Sequence, residues 1–322
     1  MWKSPLISIT EDILQYIRYL GSIGCNLLRF AVPNTRTAEM VGELSTKVSV
    51  PVVADIHFNH KIALKCMDYP IAKIRINPGN IGAKWKVREL VSKAKERGIP
   101  IRIGVNEGSL PPEVRGVGDL SSAMVKAAEM ELEILDQLGF NDIVVSLKSS
   151  NIDTTLKANM VFLEKYDYPL HIGITEAGPL INGIVKSTVG LGRMLENGIG
   201  DTVRVSLSDS CVNEIIAARE ILKAFGKYEE RVNLISCPKC GRASFDVHRF
   251  LEEIEPYLLN IRKNITVAVM GCVVNGPGEA SHADIGITGI GKEATIFKDG
   301  KVLRKIPADR ATEIFKEELE KI

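Results

Sequence analysis

The chain of 322 residues exceeds one ordinary domain unless that domain is a large barrel. Its 45% hydrophobic and 25% charged residues are those of a soluble globular enzyme. Lys and Arg number 41 against 40 Asp and Glu, a net charge of +1, so no global field draws it to nucleic acid or an anionic membrane; an anion must be held by local charge.

The first residues, "MWKSPLISITEDILQ", carry one Lys and a short, interrupted apolar run, unlike a signal or transit peptide. No apolar run approaches the roughly 18 residues of a membrane span. A reducing cytoplasm is the expected location. Six cysteines in a chain of this length point to metal binding or catalysis rather than a disulfide scaffold.

"PLISI" (5–9) is a candidate first strand. The amphipathic "EDILQYIRYLGSIG" follows, with Ile13, Ile17 and Leu20 at helical spacing. Seven clearer strands come next: 27–32, 51–56, 72–77, 100–105, 142–147, 170–175 and 202–207. Several are near-continuous apolar runs, as in parallel strands covered on both faces. Helical stretches lie between them, such as "KWKVRELVSKAKERG" and "SSAMVKAAEMELEILDQLG", the second beginning at Ser and both ending at Gly. Eight alternating units predict a (β/α)₈ TIM-type barrel over 1–228, in preference to an open doubly wound sheet. No Gly-x-Gly-x-x-Gly follows an early strand. The pattern then shifts to strand, Cys motif, helix, strand, Gly-rich loop, three strands and a terminal helix. This predicts a separate small α+β domain over 229–322.

Barrel enzymes carry their chemistry at the C-terminal ends of the strands. Here those ends hold Arg29, Arg75, Arg102, Lys148 and Arg204, with Asn77, Asn106, Ser146, Ser149, Ser206 and Ser208 as neutral donors. Asp55, Glu176 and Asp209 are candidate structural partners for the cations. Five cations against three carboxylates leave a surplus, which points to an anionic ligand. Arginine forks match phosphate oxygens, so a phosphate or diphosphate ester is the natural candidate. His57 and His171 fall at strand ends too, where packing is the commoner role. Glu176 reads either as a general acid–base group or as an arginine partner.

"ISCPKCGR" (235–242) places Cys237 and Cys240 in a Cys-x-x-Cys spacing. A zinc ribbon would repeat the knuckle downstream, and no repeat is present. Downstream there is one cysteine, Cys272, inside the Gly/Pro-rich "VMGCVVNGPGEA". Cys25, Cys66 and Cys211 read as packing residues. Three thiolates suit an iron–sulfur cluster with one iron left for an oxygen ligand such as Glu279. They also suit a zinc site closed by His248 or His282. The residues leave both open, and with zinc the chain would be a barrel transferase or lyase acting on a phosphorylated or pterin-like substrate.

"CPKCGR" followed by "MGCVVNGPGEA" resembles the C-terminal signature of the 4-hydroxy-3-methylbut-2-enyl diphosphate synthases. "RFAVP", "VADIHF", "KIRINPGNIG", "IRIGVNEGSL", "SLKSSN", "HIGITEAG" and "RVSLS" resemble that family's strand-end blocks, in order, from about residue 20 onward. The resemblance implies a barrel joined to a 4Fe–4S domain, with the cluster on Cys237, Cys240, Cys272 and Glu279. It implies a two-electron reductive ring opening of 2-C-methyl-D-erythritol 2,4-cyclodiphosphate with loss of water. Flavodoxin or ferredoxin would supply the electrons, and the open iron would take the oxygen that is lost. Arg29, Arg75, Asn77, Arg102, Asn106, Lys148, Arg204 and Ser206 would bind substrate, and Glu176 and Glu279 would take part in catalysis. It also implies a homodimer in which one subunit's cluster domain caps the other's barrel. Two departures stand out. The chain lacks the long insertion that some members carry between the two parts. A Gln-Ser-Met-Thr-Asn-like block expected after strand one is absent, so the barrel is expected to be imperfect on that side.

Overall fold

The computed structural model describes residues 1–76, 78–228, 232–238, 240–272, 278 and 280–322. Two compact units divide the chain, Met1–Phe225 and Gly226–Ile322.

In the first unit five parallel strands run in chain order: β1 (Leu28–Ala31), β2 (Val52–Asp55), β3 (Lys73–Ile76), β4 (Ile101–Asn106) and β5 (Ile143–Lys148). A parallel bridge from Val145 to Leu170 continues the order to β6 (His171–Ile172), which pairs with β7 (Thr202–Val203). Ile74, Ile76, Ile101, Ile103, Val145 and Leu147 are wholly buried, as their continuous apolar runs require. Helices α1 (Glu11–Ser22), α2 (Thr35–Ser45), α3 (His60–Cys66), the short α4 (Pro78–Ile81), α5 (Lys84–Arg97), α6 (Leu120–Asp136), α7 (Ile152–Leu163), α8 (Leu180–Glu196) and α9 (Cys211–Ala224) alternate with the strands. Their starts follow side-chain capping: Asn34, Asn59, Asn151 and Ser210 each accept a hydrogen bond from a first-turn amide. The α6 cap is Asp119 rather than the serines that follow it; its carboxylate accepts from Ser122 N–H at 2.9 Å.

Residues 5–9 form no strand. Leu6 is buried but Ile7 is 76% exposed, so the segment covers the unit instead of joining a ladder. The chain nevertheless touches the outer side of β1, where Trp2 N–H donates to Arg29 O at 2.9 Å and the Trp2 ring stacks on Phe30 at 5.3 Å.

The strand register positions the site. Parallel pairing aligns Asp55 with Arg75, and Arg75 with Arg102, in one row across β2, β3 and β4. Asn106 aligns with Lys148 on β4 and β5.

The second unit is a five-stranded mixed sheet ordered β12-β11-β10-β9-β8. β8 (Asn233–Ser236), β9 (Thr266–Val269) and β10 (Ile285–Ile290) are parallel; β11 (Glu293–Lys298) and β12 (Lys301–Pro307) continue antiparallel. Helices α10 (Val247–Leu258) and α11 (Ala311–Glu320) pack together through Phe250 and Phe315, whose rings meet edge to face at 5.5 Å. Ile254, Val267, Ile285, Ile287 and Ile296 complete this core. Each such side chain contributes about 1.5–3 kcal/mol on burial. A smaller cluster of Ala268, Met270, Ala280, Ala283 and Phe297 has Ile235 and Cys237 packed against it.

Candidate active site

In the first unit a small polar cleft opens among Arg29, Arg75, Arg102, Asn106, Ser146, Lys148, His171, Ile174, Thr175, Arg204 and Ser206. Seven of the eight substrate-binding residues expected from sequence thus meet at one place. The eighth, Asn77, lies outside the described residues.

Among the described residues, two carboxylates pair with three of the five cations. Asp55 pairs with Arg75 Nη1 at 3.0 Å and with Arg29 Nη1 at 3.3 Å. Arg204 Nη2 lies 3.5 Å from Glu214 Oε1. The Nε atoms of Arg29, Arg75, Arg102 and Arg204 are buried without a hydrogen-bond partner among the described residues. Arg102 is 6% exposed and has only Arg75 and Val144 as its register neighbours. Lys148 Nζ donates to Ile172 O at 3.2 Å. Gly173 makes that approach possible: a Cβ there would lie 3.0 Å from Lys148 Nζ and would strike Arg204 O.

The cation surplus appears in the titration of the cleft. Burial, and then the charges around it, pushes Lys148 well below its ordinary value and pushes Arg102 down likewise. Burial lowers Arg29 to about 10, although Asp55 opposes the shift. Burial would raise the Asp55 carboxyl, but Arg29, Arg75 and His57 outweigh it and hold the group below its usual range. An unpaired cation in such a place is costly unless an anion arrives.

Two expected carboxylate partners serve elsewhere. Asp209 accepts from Ser210 N–H and Asn213 Nδ2 at the start of α9. Glu176 is exposed and follows the cleft-lining Thr175 with a left-handed φ of 50°, a conformation uncommon for a residue with a side chain. The second carboxylate is Glu214, which sequence reasoning missed. It takes Lys3 Nζ at 2.5 Å and Leu207 N–H at 2.9 Å besides Arg204. Ser149 is turned away from the cleft and bonds to Glu107. His57 is half-exposed, with Nε2 3.6 Å from Asp55.

In the second unit, Cys237 follows β8 and Cys272 follows β9. The parallel register of Ser236 with Val269 brings the two strand ends side by side. Gly271 N–H donates to Cys237 Sγ at 3.0 Å, the kind of bond that stabilises a thiolate ligand. A Cβ at Gly271 would come 3.1 Å from that sulfur. Cys240 is exposed, and the Arg242 backbone amide, then its side chain, holds the thiol below its ordinary value. Cys66 is the opposite case: burial on α3 pushes it up to about 12, as befits a packing thiol. Cys25 is raised by burial too, and Cys211 donates to Met1 O at 3.1 Å. Glu279 lies outside the described residues. His248 and His282 are both exposed. No group of three or more His, Cys, Asp or Glu side chains is gathered for a metal among the described residues. The donor chemistry of Cys237, Cys240 and Cys272 fits a soft thiolate-bound iron cluster: one sulfur accepts an amide, one thiol is acidified, and the backbone beside them is glycine.

An α/β barrel with a cation-rich cleft at its strand ends, followed by an α+β unit presenting thiols at its own strand ends, defines a two-domain class of TIM-barrel protein. The match to known families is specific. Residues 1–219 match the GcpE TIM-barrel domain, and residues 233–321 match the GcpE protein C-terminal domain. The chain belongs to the GcpE family. The 4-hydroxy-3-methylbut-2-en-1-yl diphosphate synthase (flavodoxin) of Treponema pallidum (strain Nichols) is 48% identical over 341 residues, covering 99% of this chain and 84% of that protein. The same-named protein of Thermodesulfovibrio yellowstonii is 48% identical, covering 100% of this chain and 92% of its own length. Among solved structures, the dihydropteroate synthase of Stenotrophomonas maltophilia is similar with a TM-score of 0.51 at 14% identity. It covers 67% of this chain and 88% of its own, a likeness of barrel fold alone. No helix among the described residues is long and apolar enough to cross a membrane.

Proposed function

We infer that this chain is a 4-hydroxy-3-methylbut-2-enyl diphosphate synthase, an iron–sulfur oxidoreductase of isoprenoid precursor biosynthesis. It opens the ring of 2-C-methyl-D-erythritol 2,4-cyclodiphosphate and releases water. The reaction consumes two electrons and one proton: the carbon–oxygen bond to one phosphate breaks, a hydroxyl leaves as water, and a carbon–carbon double bond forms. The observation that carries the substrate reading is the cleft, where five cations from five strands have, among the described residues, Asp55 and Glu214 as their carboxylate partners.

Arg29, Arg75, Arg102, Lys148 and Arg204 hold the diphosphate, and Asn106 and Ser206 donate to its remaining oxygens. Asn77 joins that set by resemblance. Charge-assisted hydrogen bonds of this kind are the strong ones, and in a partly buried cleft they fix the reacting carbons in one place. Glu176, next to Thr175 at the cleft, supplies the proton that leaves with water. Its left-handed backbone is the strain often met at a working residue.

Cys237, Cys240 and Cys272, with Glu279, hold a 4Fe–4S cluster. Bound there, that group relays single electrons and offers an iron as a Lewis acid. Gly271 lets its backbone N–H reach the Cys237 sulfur, and Arg242 keeps the Cys240 thiol acidic enough to bind as thiolate. Flavodoxin, named for the relatives, or ferredoxin supplies the electrons. The active form is a homodimer in which one subunit's cluster domain meets the other's barrel. Thiolate ligands and such a donor suit a reducing cytoplasm.

Anaerobic purification followed by metal and sulfide analysis tests this reading. About four iron and four acid-labile sulfide per chain, with brown colour, are expected. Zinc without visible absorption contradicts it and returns the chain to a non-redox barrel transferase or lyase.

A further inference from the structure

Among the described residues that line the cleft, His171 is the titratable one that the diphosphate-binding set leaves without a task. It opens β6, is partly buried, and lines the cleft with the five cations. Its Nδ1 lies 2.9 Å from Thr202 Oγ1 on β7. One ring nitrogen is thereby engaged with a hydroxyl, and Nε2 makes no hydrogen bond among the described residues.

The groups around it are nearly all of one sign. Lys148 faces it from β5, Arg102 from β4, Arg75 from β3, Arg29 from β1 and Arg204 from the end of β7. The one carboxylate in the row, Asp55 on β2, is engaged by Arg29 and Arg75. Glu214 on α9 is engaged by Arg204 and Lys3. An imidazolium would be a sixth cation in a crowded, partly desolvated place. Burial first, and then Lys148, Arg102, Arg29 and Arg204, holds the ring well below its ordinary value. A diphosphate brings several negative charges into the same space and reverses the field.

We propose that His171 is a specificity-determining residue of the cleft, uncharged in the ligand-free protein and converted to a cation by a bound diphosphate. A sixth arginine would repel its neighbours at all times. A histidine adds its charge only when a multiply charged anion offsets it, so the cleft discriminates against singly charged anions. The inference rests on the diphosphate reading of the cleft.

The test is binding of inorganic pyrophosphate to the anaerobically purified full chain by calorimetry, between about pH 6 and pH 8, for wild type and His171→Gln. Gln keeps a donor but cannot gain a proton. Pyrophosphate ionisation and Lys148 are common to both proteins and cancel in the difference. Wild-type affinity should fall with rising pH more steeply than the variant's, by up to about tenfold per pH unit. Parallel curves in the two proteins overturn the role of His171 and leave the diphosphate reading standing. No wild-type binding at any pH overturns both. On wild type alone, histidine-labelled NMR should show the His171 titration midpoint rising when pyrophosphate is added. An unmoved midpoint also overturns the proposal, whatever the folding of the variant.

Discussion

Replacing Arg102 by Met should make the protein more stable and its cleft worse at binding. Arg102 sits in register beside Arg75 on the neighbouring strand, and its Nε is buried without a partner among the described residues. Burial of the guanidinium, and then the like charges of Arg29 and Arg75, disfavour the cation at Arg102. Asp55, bonded to Arg75 at 3.0 Å, offsets part of this. A net gain of about 1–3 kcal/mol is therefore expected when the guanidinium is removed and its apolar volume kept. For a barrel of this size each kcal/mol raises the melting temperature by about 2–4 °C. The opposite effect falls on the ligand. Loss of charge-assisted hydrogen bonds to a phosphate costs about 1.5–3 kcal/mol, or roughly 10- to 160-fold in Kd. Thermal melts with and without pyrophosphate, paired with calorimetry, read both quantities. A variant that melts lower yet binds pyrophosphate as wild type does would make Arg102 a structural residue and refute the reasoning.

The remaining predictions draw on other parts of the two units. Glu214→Gln removes the charge facing Arg204 and Lys3, so the barrel unit should lose about 3–5 kcal/mol; a melting temperature within a degree of wild type counts against the pair. Lys148 is depressed in the folded protein, so between its folded value and the unfolded value near 10.4 the unfolded chain binds more protons and stability rises with pH. Ligand-free melts should therefore climb through mildly alkaline pH, and saturating pyrophosphate should flatten the climb. Asp55 has the carboxylate pattern: its contribution is present above the unfolded value near 3.9 and lost as pH falls through its lowered folded value, so acid melts of Asp55→Asn should show a shallower loss than wild type. Gly271→Ala puts a methyl 3.1 Å from Cys237 Sγ and should lower iron retained per chain several-fold after reconstitution; wild-type iron content would show that the glycine is dispensable.

The barrel strands were legible because strands covered on both faces must be apolar throughout, and seven such runs stand in the sequence near β1 to β7. Residues 5–9 have the same local look but no ladder partner, and pairing is not written in one segment. The cleft cations could be read from their positions at strand ends, since the parallel register does the rest. Their carboxylate partners could not. Asp209 lies close to a strand end in sequence yet bonds to Ser210 and Asn213 at the start of α9, while Glu214, inside α9, reaches Arg204. That exchange depends on how the helix turns, which residue spacing alone does not fix. The thiol set was legible as a motif, whereas the amide-to-sulfur bond from Gly271 emerges only once β8 and β9 are parallel neighbours.

Single turnover of 2-C-methyl-D-erythritol 2,4-cyclodiphosphate by the anaerobically reconstituted protein tests the central claim most directly. With reduced flavodoxin or a strong chemical reductant, 4-hydroxy-3-methylbut-2-enyl diphosphate should appear by mass spectrometry at one product per two electrons consumed. A protein with full iron and sulfide content that binds the cyclodiphosphate but leaves it unopened under reducing conditions would contradict the account.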